Sequence, residues 1–138
     1  MSVTSPDPAL EQNKRLLLRY LDDAWNKSRR QALTESFARN CILHAGSREA
    51  HGPADFFHIY DLFQAQFARI SFQPIVVLAE ADLVCAHWRI EAVYRATHTS
   101  VQITGTSIVR VHDGRFIEAW QNWDAASLAA QLPGFVLP

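Results

Sequence analysis

Apolar residues recur at near-helical intervals early in the chain. Leu10, Leu17, Leu21 and Ala24 share one face, with Leu18 and Trp25 beside them. That spacing predicts an amphipathic helix over residues 9–26 that packs one side on a core. Leu33 and Phe37, four apart, support a second short helix over about residues 29–38. The run Cys-Ile-Leu-His-Ala-Gly at residues 41–46 reads as a brief strand carrying His44. Gly52-Pro53 opens a third helix, with proline in the first turn, where its missing N–H is tolerated. Phe56, Tyr60, Phe63 and Phe67 follow at helical steps, a stripe that core packing explains best.

From Ile70 the period changes to two. Four stretches rich in Val, Ile, Thr and aromatics are separated by turn signals at Ala79–Asp82, His98–Ser100 and Asp113-Gly114. Val84, Ala86, Trp88, Ile90, Ala92, Tyr94 and Ala96 alternate with Cys85, His87, Arg89, Glu91, Val93 and Arg95, which predicts a sheet covered on one face. Asp113-Gly114 is a two-residue hairpin signal, because the tight turn needs positive φ at both positions. Pro74, which has no N–H to donate, belongs near a strand start or edge. A short alanine- and leucine-rich helix closes the pattern. The order is three helices with a short strand among them, then long antiparallel strands, then a terminal helix: an α+β fold.

At 138 residues the chain is long enough to bury one full core, and residues 9–138 read as a single domain after a Ser/Pro-rich, frayed lead at residues 1–8. The composition, 49% apolar and 20% charged, is that of a globular protein, without a membrane span. A formal charge of -1 with scattered Lys and Arg argues against a nucleic-acid partner. Cys41 and Cys85 are too few and too isolated for a disulfide framework and read as core residues. The six histidines show no metal-ligand spacing, and no cofactor or phosphate motif is present, so neither metal nor cofactor is expected. The N-terminus lacks a basic stretch followed by an apolar one, making the cytoplasm the expected location.

Chemistry concentrates at the join between the last strand and the last helix. Asp124 has two readings there. As a helix N-cap its carboxylate accepts a backbone N–H two or three residues on. As a general base it projects, by strand parity, from the same face as Trp120 and Asn122, where indole and apolar walls raise its pKa toward a useful range. Asn122, His44, His98 and Arg110 are candidate donors to a developing enolate. Each also has a plain reading: His44 satisfying a carbonyl, His98 in an exposed turn, Arg110 paired with Glu118 across the hairpin. Tyr20, Trp25, Phe56, Tyr60, Phe63, Trp88 and Trp120 are candidate pocket walls that core packing explains equally well.

The segments YLDDAWNKSRRQALTESFA, CILHAG and RATHT, and the run from Gly105 to Asp124 patterned G-x-x-x-x-R-x-x-D-G-x-x-x-E-x-W-x-x-x-D, together resemble the SnoaL-like polyketide cyclase group of the nuclear-transport-factor-2-like superfamily. The resemblance spans about Leu10 to Gly134. It implies a cone: a strongly curved antiparallel sheet wrapped by N-terminal helices around a pocket for a small hydrophobic ligand, often dimeric through the sheet. It further implies a cofactor-free, aldol-type ring closure with Asp124 as acid and base, His44 and His98 matching histidines of the group. Isomerase, dehydratase, epoxide hydrolase or non-catalytic binding roles on the same fold are the alternatives. Two features depart from the group: Ala96 replaces a glycine, and the hairpin after His98 is shorter than in many members, which changes one pocket wall.

Overall fold

The computed structural model describes residues 7–135. Asp7 accepts the Ala9 N–H at 2.9 Å and caps α1 (Pro8–Leu21), so the helix starts one residue inside the segment expected to fray. Residues 1–6 of that lead lie outside the described residues. The expected helix to Asn26 changes register after Leu21. Residues Asp22–Asn26 form a π-helical turn, with the Lys27 N–H donating to Asp22 at 3.0 Å and the Arg29 N–H to Asp23 at 2.9 Å. This widened turn leaves the Ala24 carbonyl for the Tyr60 hydroxyl, which donates to it at 2.8 Å.

The second helix is shorter than its spacing predicts. α2 covers only Ala32–Ser36, and Phe37 begins β1 (Phe37–Ala45). Leu33 and Phe37 are both buried, but from two different elements, so one i, i+4 pair was not enough to extend a helix. β1 turns at Gly46 into β2 (Arg48–His51), a second short strand that the sequence pattern does not announce. Gly52 then opens α3 (Gly52–Gln66) with φ 76°, and a Cβ there would lie 2.8 Å from the Arg39 carbonyl oxygen.

Four strands follow: β3 (Phe67–Glu80), β4 (Leu83–Tyr94), β5 (Thr99–His112) and β6 (Arg115–Trp123). α4 (Ala125–Gln131) is the last element among the described residues. The β4–β5 turn sits at residues 95–98, earlier than the His98–Ser100 signal, so Ala96 is turn and not strand. Asp113 and Gly114 have φ of 49° and 72°, as the two-residue hairpin requires. The sheet order is β2-β1-β6-β5-β4-β3. It is mixed and open, not wholly antiparallel, because β1 returns beside β6 in parallel.

Register shifts at Ala68/Ser71, Pro74/Val76 and Arg110/Val111 are bulges, each increasing local twist, and they curl the sheet around its helices. Pro74 falls on the edge strand at one of them. The inner face follows the predicted alternation. Val84, Ala86, Trp88, Ile90 and Ala92 are buried on the face of β4 that α1 packs against, while His87 and Glu91 between them are exposed. Each large apolar side chain buried this way stabilises the fold by roughly 1.5–3 kcal/mol before conformational entropy is subtracted.

Two side-chain amides complete strand edges. Asn26 donates to the Phe72 carbonyl at 3.0 Å and accepts the Phe72 N–H at 2.6 Å. Gln131 does the same for Gln102, beyond the end of β6, at 2.8 Å in both directions. α4 is thereby pinned to β5.

Gly105 has a tight role in this packing. Its cross-strand partner is Trp88, whose indole N–H donates to Ser107 Oγ at 2.9 Å, and the ring lies across the space a side chain would occupy. A Cβ would also meet the Asn122 carbonyl oxygen at 2.6 Å. Gly105→Ala is therefore expected to destabilise the protein by about 1–3 kcal/mol through overpacking. Chemical denaturation should read this as a lower midpoint, and Trp88→Phe in the same background should recover part of the loss.

Candidate functional site

Two hollows lie between the inner face of the sheet and the helices. The larger has a volume of about 620 Å³, in the range of small-molecule sites. Its floor is Phe67, Phe72, Trp88, Ile90 and Ile103, and Phe135 closes one end by packing on Phe67 and Tyr94. Its mouth is formed by the β1–β2 turn, one stripe of α3, and the end of β6. The smaller hollow, about 60 Å³, lies deeper among Leu17, Tyr20, Leu33, Phe37 and Phe56. Trp25, Ile59, Phe72 and Gln121 line both.

The aromatic residues expected as walls are divided between these spaces. Phe63 and Trp88 line the large hollow, Tyr20, Phe56 and Tyr60 the small one, and Trp25 both; Trp120 borders the small one from β6, with its ring stacked on His44. Burial pushes the Tyr20 hydroxyl well above the usual tyrosine range, so that group stays protonated at neutral pH. The buried Cys41 thiol is likewise pushed up to about 11 and is a core residue without thiolate character.

Strand parity places Trp120, Asn122 and Asp124 as the alternation predicts, but the face they share is the outer one. Ala119, Gln121 and Trp123 pair across the sheet with Val109, Ser107 and Gly105, and these belong to the inner face. Trp120 pairs with Ile108 and His44, and Asn122 with Thr106. Asp124 is exposed, accepts the Ser127 N–H at 2.9 Å as the N-cap of α4, and lines neither hollow. Asn122 is at the rim of the large one. His98 is at the exposed tip of the β4–β5 turn, with φ 54°, and lines neither.

His44 and Arg110 meet on the outer face. His44 stacks on Trp120 with ring centroids 5.5 Å apart, and its Nε2 lies 2.8 Å from Glu118 Oε2. Arg110 faces Glu118 at 3.7 Å, pairs with Asp82 at 2.9 Å, and lies over the Trp120 ring at 5.8 Å. These residues form a cross-strand charge network, and neither His44 nor Arg110 lines a hollow. Glu49 connects this network to the mouth: it lines the large hollow and lies 3.7 Å from His44 Nδ1 and 3.0 Å from His51 Nε2.

The titratable residues that do line the large hollow are Arg48, Glu49, Asp55 and His58, all on one side of its mouth. Asp55 also accepts the His51 N–H at 2.8 Å, which ties the start of α3 to β2. Asp55, His58, Ile59, Leu62, Phe63 and Gln66 form a second helical stripe of α3, beside the aromatic one that packs into the core. Sequence reasoning followed the aromatic stripe alone. The signal for the second was the i, i+3, i+4, i+7 spacing starting at Asp55. Gln121 lies on the other face of β6 from Asn122, and a lone amide there carries no signal in the sequence. Among the described residues no group of three or more His, Cys, Asp or Glu could hold a metal ion, and no helix is long and apolar enough to cross a membrane.

Solved structures share this architecture. The protein of Jannaschia sp. CCS1 described as a SnoaL-like polyketide cyclase superposes with a TM-score of 0.86 at 16% identity, over 97% of this chain and 100% of that one. AclR of Streptomyces galilaeus, described as a hydroxylase, gives 0.83 at 18% identity over 92% and 99%. An LEH-like epoxide hydrolase of M. tuberculosis gives 0.75 at 13% identity over 91% and 92%. No curated protein sequence matches the chain. At these identities the likeness establishes the fold and leaves the chemistry to be argued from the site. The family model of the SnoaL-like domain matches residues 17–129, and the chain belongs to that family.

Proposed function

We propose that the chain is a cofactor-free acid/base enzyme that closes a ring in a small hydrophobic carbonyl compound held in the large hollow. His58, with Asp55 one helical turn before it, takes the place that the sequence assigned to Asp124. The observation that carries this reading is the composition of the hollow: an apolar floor with Asp55 and His58 on a single helical stripe at the mouth. A neutral imidazole there can take a proton from the carbon next to a substrate carbonyl. The electron pair left behind becomes an enolate, whose carbon attacks a second carbonyl of the same molecule and forms the new C–C bond. The imidazolium then returns its proton to the alkoxide, so base and acid are one group used twice. Asp55 is on the same stripe, one helical turn before His58. Atoms and charge balance without oxidant or reductant, and the product is an isomer of the substrate.

Self-association belongs to the same proposal. Val76 and Leu78 project from the outer face of β3, 47% and 62% exposed, with Cys85 and His87 as cross-strand partners. A second copy seated on this face would cover them. Leu78→Glu is expected to shift the protein from dimer to monomer in sedimentation without lowering the midpoint of monomer unfolding. A wild-type protein that sediments as a monomer at high concentration would remove this part.

Linear aryl triketones, whose cyclised products absorb at longer wavelength, provide the activity assay. His58→Gln should lower kcat by about 10²–10⁴-fold while leaving ligand affinity within a few fold, and Asp55→Asn should have a smaller effect in the same direction. Ligand binding with no turnover in wild type would make the chain a binding domain.

Asp124→Ala should behave in the opposite way. Loss of the cap is expected to cost about 1 kcal/mol and roughly 4 °C in Tm, with kcat within twofold of wild type. A stable Asp124→Ala protein without turnover would return the catalytic role to Asp124.

A further inference from the structure

Resting on the reading that the large hollow takes a hydrophobic carbonyl compound, we infer that the two hollows are one bipartite site with Gln121 at the neck: a ring system occupies the large chamber, a short unbranched alkyl arm passes Trp25 into the small one, and the carbonyl joining them accepts a hydrogen bond from Gln121.

The first support is continuity. Trp25, Ile59, Phe72 and Gln121 line both chambers, so they form the wall where the spaces adjoin. Three of the four are apolar. Gln121 is the exception, on the inner face of β6 opposite Ser107 and beside Ala45 of β1. Its amide makes no hydrogen bond to any described residue, whereas other polar groups nearby are engaged. The Tyr60 hydroxyl donates to Ala24, and Ser107 accepts from Trp88. A half-buried amide facing an apolar chamber without a protein partner is satisfied by water when the site is empty and by the ligand when it is full.

Size fixes which part goes where. A cavity of about 150 Å³ accommodates benzene. The small chamber, about 60 Å³, is therefore too small for a ring and suits a few carbons, while the large one, about 620 Å³, holds a fused ring system. The small chamber is walled by Leu17, Leu33, Phe37 and Phe56, so the arm is apolar. Its route passes Trp25, whose place on the π-helical turn Asp22–Asn26 positions the indole at the neck. The polar atom of the ligand then falls at the junction, and the amide N–H that holds a ground-state carbonyl there donates more strongly to the enolate oxygen formed when a neighbouring proton leaves. Gln121 is thus a specificity-determining residue and, if the ring closure proceeds, an oxyanion donor.

Equilibrium binding tests this independently of turnover, using 2-naphthyl methyl, ethyl and propyl ketones and the matching alkylnaphthalenes that lack the carbonyl. In isothermal titration the wild type should bind ketones about fourfold more tightly per added methylene, as the arm fills the small chamber. Gln121→Leu should weaken ketone binding by about three- to tenfold and leave the alkylnaphthalenes unchanged. Ala119→Val, which narrows the small chamber alone, should abolish the gain with arm length while retaining the methyl ketone. Should that variant not fold, Val109→Ile reduces the same chamber by one methyl and carries the same expectation. Ketones that bind with no dependence on arm length or on Gln121 overturn this inference and leave the ligand class standing. Failure of every ketone to bind the folded protein overturns both. Loss of turnover in His58→Gln with these binding patterns intact supports the inference.

Discussion

The pairing of the Asn26 amide with both backbone groups of Phe72 is the constraint on which the cavity depends. β3 is an edge strand, and an edge strand curling over a hydrophobic space would expose unpaired N–H and C=O groups there. One side chain at the end of the π-helical turn supplies both missing bonds. It can reach them because the i→i+5 spacing of that turn advances the chain differently from an α-helix. The same turn exposes the Ala24 carbonyl, which Tyr60 of α3 satisfies, and sets Trp25 between the two hollows. Helix α1, the edge of the sheet and α3 are thus joined at five residues.

The period of two explains why the most prominent carboxylate of the sequence is outside the cavity. Along β6 the inner face is taken by Ala119, Gln121 and Trp123, and the register with β5 ties this choice to the buried Val109 and Ser107. Slipping β6 by one residue would bring Asp124 inward, but it would also carry Glu118 into the core and Ala119 out to water. The cost of burying that unpaired carboxylate far exceeds any gain at Asp124. The capping bond to Ser127 and the backbone bond from the Asp124 N–H to Thr104 at 2.9 Å hold it at the exit of the sheet. Capping uses one carboxylate oxygen, and Asp124 lines neither hollow.

Much of this was legible without coordinates, wherever a period repeats. The alternation over β4 and the Asp113-Gly114 turn define strand identity and facing directly, since each added residue tests the same pattern. α1 and α3 were likewise visible. What the sequence hides is set by contacts between distant residues. The parallel pairing of β1 with β6 comes from packing that no local period encodes, and it turned an expected antiparallel sheet into a mixed one. β2 is four residues long and has too few positions to show alternation. At the site, the aromatic walls could be named because large apolar side chains have few alternatives to burial. Gln121 and His58 could not, because a lone amide on a strand and a lone histidine on a helix have many; only the join of two hollows distinguishes the first and the mouth of the large one the second.

The charge network on the outer face bears on the cavity through geometry rather than energy. His44, Glu118, Arg110 and Asp82 are about one-third to one-half exposed, and pairs of that kind each contribute roughly 0–1 kcal/mol. Their effect lies in what they join. The contact of His44 with Glu118 links β1 to β6 where the two strands run parallel, and Glu49 extends it from β2 to the mouth of the large hollow. The β1–β2 turn between them, with Gly46 at φ 61°, supplies Gly46, Ser47 and Arg48 to the same mouth. Without the histidine the turn would lose the side-chain contact with Glu118 and keep the backbone pairing of Ala45 with Gln121. The histidine that the sequence singles out thus sits on the far side of the sheet from the hollows, where its contacts reach Glu118 on β6 and Glu49 on β2.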